Sequence, residues 1–191
     1  MKKFIFNKWT ATIIIFLGIV VLSLVRASIV DSQEIIGSMD FSELDPATVD
    51  SVKSIITSIA VVFANPITYI VIDIIGLGVV SIIAAAITRG TVKKDERYIE
   101  MEDKSTFGDI FSIVYIALIS LGVIKLITAL VMMLNIGHSL VAMVLSLLAY
   151  GGFIWLILEQ LKNEQRELKY TKKVAIVLYA LLAVIQISQR I

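Results

Sequence analysis

Four stretches of this chain are apolar for so long that a membrane is the only solvent that suits them. Residues 9–28, 66–88, 111–133 and 140–159 each run for twenty or more positions with almost no charge. A helix rising about 1.5 Å per residue crosses a hydrocarbon core of about 30 Å in that length. A fifth run, 174–189, is shorter, and Gln186, Gln189 and Arg190 close it with groups suited to lipid headgroups. Inside a bilayer every backbone N–H and C=O must find a partner within the protein, which leaves helices or a closed barrel. Runs this long are helical, so the expected fold is all-α, a polytopic transmembrane helical bundle forming one domain over residues 1–191.

The composition agrees, since 58% of the 191 residues are hydrophobic and mean hydropathy is +0.93. A net charge of only +1 provides no basic field for nucleic acid. The opening "MKKFIFNK" has the basic start of a signal peptide, but the run that follows is long enough to stay as an uncleaved first span.

Residues 46–64 are harder to place. Asp45 and Pro46 make a good helix start, a capping carboxylate before a proline in the first turn. Val49, Val52, Ile56, Ile59 and Phe63 then recur at helical spacing opposite Ser51, Ser54 and Ser58. Asp50 and Lys53 sit in the first two turns, so the segment reads as an amphipathic interfacial or re-entrant helix. The distribution of Lys and Arg decides in favour of that reading. With five spans and the N-terminus inside, thirteen basic residues fall on the cytoplasmic side and only Arg26, Lys53 and Arg190 outside. A sixth crossing at 46–64 would turn both basic loops outward. The expected location is therefore a prokaryotic plasma membrane, with the N-terminus and the two basic loops cytoplasmic. The acidic segment 29–50 lies outside. Of the loops, "TRGTVKKDERYIEMEDKSTFGD" reads as a turn, with Ser105 or Thr106 capping the next span, and "EQLKNEQRELKYTKK" as a helical extension of the fourth.

Searches for catalytic chemistry mostly fail. The chain has no cysteine, so thiol catalysis, thiolate metal sites and disulfides are excluded. Its single histidine, His138, stands in the short turn "LNIGHS", and one histidine cannot make a paired-histidine metal helix. An aspartyl protease dyad needs two carboxylates sharing a proton, and only Asp73 is deeply placed in a span. "GLG" at Gly76 and Gly78 lies within a span, where small residues let helices approach. The chain reads as non-enzymatic, with no cofactor and no metal.

The remaining signal is polar residues at mid-membrane depth. Asp73 and Lys125 each interrupt an apolar run, and each falls about 5 Å to the outer side of the midplane in the expected topology. Unpaired, each would be costly there, so the two are expected to pair. Tyr69 and Tyr115 are candidate satellites, Asn65 shares a face with Tyr69 and Asp73, and Arg26 is the reserve partner. Gly122, Gly151 and Gly152 join Gly76 and Gly78 as candidate packing positions.

Residues 66–133 also resemble a known family. "PITYIVIDIIGLGVVSIIAAAI", a polar loop and "STFGDIFSIVYIALISLGVIKLI" look like the core of the Yip family of Rab-GTPase-interacting membrane proteins. The matching positions are Thr106, Phe107, Tyr115 and Gly122. The resemblance implies a polytopic helical bundle of the small prokaryotic type, with no settled biochemical activity, and the leading reading is a non-enzymatic scaffold or membrane-organising protein that assembles with itself or with other membrane proteins. The expected partners are thus the lipid bilayer and further copies or other membrane proteins. The alternative is a small transporter, channel or lipid-handling protein using the Asp73 and Lys125 site.

Overall fold

The computed structural model describes residues 7–30, 36–42, 44–97, 106–134, 139–162 and 168–188, and among them there is helix and no strand. Seven helices follow in order: α1 (Lys8–Ser28), α2 (Pro46–Phe63), α3 (Pro66–Arg97), α4 (Phe107–Ala117), α5 (Ile119–Met133), α6 (Ser139–Lys162) and α7 (Lys169–Ser188). Helices α4 and α5 meet at Leu118, whose N–H is shared between the Val114 and Tyr115 carbonyls. Together they form a single apolar rod, so among the described residues six helical segments are long and apolar enough to cross a membrane.

Local chemistry starts most of these helices. Asn7 accepts from the Trp9 amide at 3.2 Å to open α1. Asp45 takes the Thr48 amide at 3.0 Å and the Thr48 hydroxyl at 2.6 Å, with Pro46 next in line, to open α2. Those hydrogen bonds, the hydroxyl's first, hold the Asp45 carboxyl below its ordinary pKa. Thr106 and Asp109 form a reciprocal capping box at the head of α4. Ser105, the other expected cap, lies outside the described residues.

Three boundaries differ from the sequence reading. Helix α3 does not turn after residue 88 but continues to Arg97. The stretch "TRGTVKKDER" contains good helix formers and no proline, so nothing stops the ladder. The rod α4–α5 begins four residues earlier than the expected third span, at the capping box. Helix α7 starts at Lys169, five residues before the apolar run. His138 lies outside the described residues, as do residues 163–167 of the expected extension of the fourth span.

Helix α1 and the rod run parallel and form the centre, with α3 antiparallel against both and α6 and α7 outside. The register is explicit: Lys8 Nζ donates to Ser112 Oγ at 3.1 Å, and the Thr12 and Tyr115 hydroxyls bond at 2.7 Å. Higher up, Gly18 meets Gly122. A Cβ on Gly122 would lie 2.9 Å from the Ile15 Cα, and one on Gly18 would strike the Gly122 carbonyl. This contact of backbone on backbone is the small-residue packing membrane helices use where dispersion must hold them together. Ile110, Ile113 and Val114 from the rod, with Leu22 from α1, are almost wholly buried. The outward faces are the reverse of those of a water-soluble protein: Ile75, Ile82, Leu148, Trp155 and Ile176 are all more than half exposed. Such a surface belongs against acyl chains, and the chain is a helical membrane protein. Of α2, only Ala60 is buried.

Candidate functional site

Asp73 sits on α3 where the helix faces both central elements. From the rod, Lys125 Nζ approaches Asp73 Oδ2 to 2.7 Å, and from α1, Arg26 Nη1 lies 3.7 Å from the same oxygen. The approach of Lys125 is an ion pair rather than an aligned hydrogen bond. The side chains of Asp73 and Lys125 are 13% and 17% exposed, against 36% for that of Arg26, the most open of the three. It lies 5.9 Å from the centroid of the Tyr69 ring, within cation–π range.

The three charges border a cavity of about 450 Å³ between α1, α3, α5 and α6, with Thr128, Ser146 and Tyr150 on its other walls. Two cations face one carboxylate, a surplus of one positive charge. Arg26, in the last turn of α1, can reach the headgroup region, whereas Lys125 is shielded, so the surplus is met by an anionic group or water in the cavity. An apolar groove of about 320 Å³ between α3, α6 and α7 adjoins it, and Val80 and Tyr150 line both spaces.

Other expected members of the polar cluster are elsewhere. Asn65 is a helix cap, accepting from the Ile67 amide at 3.0 Å at the start of α3. Its position before Pro66 repeats the arrangement of Asp45 before Pro46, and that local role takes its side chain away from Asp73. Tyr115 belongs to Thr12; it shares a helical face with Lys125 but stands ten residues, about 15 Å, along the axis. Among the glycines, Gly122 forms the crossing with α1, Gly151 sits against the Tyr179 ring, and Gly152 against the Ser120 hydroxyl. Gly76 and Gly78 pack against nothing: a Cβ there would have no atom within 4 Å, and Gly76 instead lines the cavity. Helix α3 is an outer helix at that level, so its small residues open space instead of closing it.

A second carboxylate was missed altogether. Asp95, 6% exposed, accepts from the Tyr170 amide at 2.8 Å, the Thr171 amide at 3.0 Å and the Thr171 hydroxyl at 2.6 Å. These amides open α7, where Leu168 occupies the cap position and has no side-chain oxygen to offer. Asp95 caps the helix from 75 residues away. Beside it, Lys94 Nζ donates to the Tyr170 hydroxyl at 3.0 Å. Local capping rules do not reach a partner so distant in sequence. The available signal was the uncapped, basic start "LKYTKK", which the helix dipole disfavours.

Comparison with known proteins adds no relative: no family model, curated protein or solved structure matches this chain.

Proposed function

We propose that this chain is a non-enzymatic integral membrane protein that admits a charged group to the cavity around Asp73 and Lys125, as a small transporter, channel or lipid-handling protein does. The observation that carries this reading is that the ion pair borders a cavity instead of being sealed. A purely structural clasp gains most when dry, because its attraction weakens as the local dielectric rises. Lining the pair with Thr128, Ser146 and Tyr150 suits a site whose contents exchange.

The test uses the absence of native cysteine. Ser146→Cys, on the cavity wall, should react with a small water-borne thiol reagent, while Val79→Cys, on the lipid face, should not. Equal and negligible reaction at both would identify a dry clasp and sink the reading. The proposed orientation places the N-terminus and both basic loops in the cytoplasm of a prokaryotic cell, with segment 29–50 outside and α2 lying at the interface. The skewed distribution of Lys and Arg and the slight burial of α2 support it. Ser42→Cys should label from outside and Lys93→Cys should not; the converse refutes it.

A second reading, the scaffold implied by the Yip-family resemblance, draws support from one observation. The open space over Gly78 leaves a face of α3 on which another helix could pack closely. Cross-linking of Gly78→Cys between copies in native membranes would favour it.

A further inference from the structure

We infer that the occupant of the site is a single-chain amphiphilic monoanion, its acidic head between Arg26 and Lys125 and its hydrocarbon tail in the groove between α3, α6 and α7. The inference rests on the proposed cavity function and names its ligand class. Three observations converge on it. First, two cations face one carboxylate around the cavity, and the Arg26 side chain is the most exposed of the three. A single negative charge balances the set, and a carboxylate or phosphate suits the planar guanidinium.

Second, the cavity does not end at its polar wall. Along α3 it is lined by Asp73, Leu77 and Val80, and the groove takes over with Val80, Ala84, Ile87 and Thr91. On α6 the hand-over falls at Tyr150. A space bordered by all three charges and an almost wholly apolar one therefore follow one another along the same helical faces, which matches the distribution of an amphiphile's own polarity.

Third, the dimensions suit one chain. From Val80 to Thr91 the groove follows α3 for about 16 Å, close to half of a hydrocarbon core of about 30 Å. If a methylene takes about the volume of a water molecule in the liquid, about 30 Å³, the groove holds roughly ten. That is room for about ten carbons of one tail and not for paired tails, and because the groove is open along its side the remainder of a longer chain continues into the bilayer.

The experiment is native mass spectrometry of the full chain in a neutral detergent, with oleate as probe. Its comparators are oleyl alcohol, butyrate and dioleoyl phosphatidylglycerol. One oleate per chain should be retained, and oleyl alcohol should not. Arg26→Gln should weaken retention by about tenfold, the effect of losing one charge-assisted hydrogen bond. Ala175→Phe, which fills the groove without touching the cavity, should abolish it, with thermal unfolding in the same detergent showing that both variants are folded. Equal retention of oleyl alcohol overturns the inference, as does oleate surviving Ala175→Phe or preference for the two-chain lipid. Butyrate binding as well as oleate also overturns it, yet leaves the cavity reading intact. That reading fails separately, at Ser146→Cys.

Discussion

Helix α3 carries two carboxylates withdrawn from water, and the protein treats them in opposite ways. Asp95 is answered by three hydrogen bonds from one helix start, two of them backbone amides whose positions the fold fixes. Asp73, 22 residues and about 33 Å earlier, has no aligned hydrogen bond at its paired oxygen and is held by two long cationic side chains beside a cavity. The first arrangement leaves nothing to exchange. The second is held by groups that can turn to another anion without moving the backbone. Burial alone does not separate a structural carboxylate from a functional one, whereas the rigidity of its partners does.

That contrast can be broken most directly by comparing deletions. Asp95→Ala strands two amides and a hydroxyl and should lower unfolding stability in detergent by about 2–3 kcal/mol. It should leave the reaction of Ser146→Cys with a small thiol reagent at the cavity unchanged. Asp73→Asn should cost less, about 1–2 kcal/mol, because Arg26 is partly exposed and the cavity can hydrate the cations left behind. A larger loss at Asp73 than at Asp95 would reverse the distinction. A double-mutant cycle sharpens it: Lys125→Met alone should destabilise by a similar amount, and the combination with Asp73→Asn should recover about 1 kcal/mol of the summed loss. Strict additivity would show that the pair is not coupled.

Ser23 supplies a third kind of buried polar group, fully buried on α1 with no partner for its hydroxyl among the described residues. Ser23→Ala should raise stability, by up to about 1 kcal/mol; a loss would mean that the hydroxyl is engaged. The smallest effect concerns an exposed carboxylate. The folded-state pKa of Asp45 is depressed by hydrogen bonds from Thr48, so its contribution is present above the unfolded value and lost as pH falls through the folded one, below about 4. Hydrogen exchange at the Thr48 amide should rise in that window beyond its intrinsic pH dependence, and Asp45→Asn should remove the excess.

What the sequence made legible follows from contrast with its surroundings. Asp73, Lys125 and Arg26 stand out because each interrupts hydrocarbon, and the cost of a charge there dictates that partners be sought. Asp95 stands in "KKDER", where a charge draws no notice, and its role depends on a helix start 75 positions away. Tyr115 pairs with Thr12 and not with the Asp73 cluster, because helical spacing fixes the face of a residue but not its neighbour, and α1 reaches it first. Asn65 was legible and overlooked, since an amide before a proline at a helix start has a local task. The groove could not be read from the sequence at all. It exists only where three helices diverge.

The contact between Gly18 and Gly122 also sets a lever. With no side chain on either helix to keep them apart, backbone touches backbone, and the point of touch acts as a fulcrum. Arg26 lies eight residues beyond it on α1, about 12 Å out, and Lys125 three residues beyond it on α5, about 4.5 Å out. Rocking α1 by about 5° about that point swings the base of Arg26 by about 1 Å, while Lys125, on the other arm and close to the fulcrum, stays beside Asp73. Of the two cations, Arg26 is therefore the one whose distance from Asp73 depends most on the angle at which α1 crosses the rod.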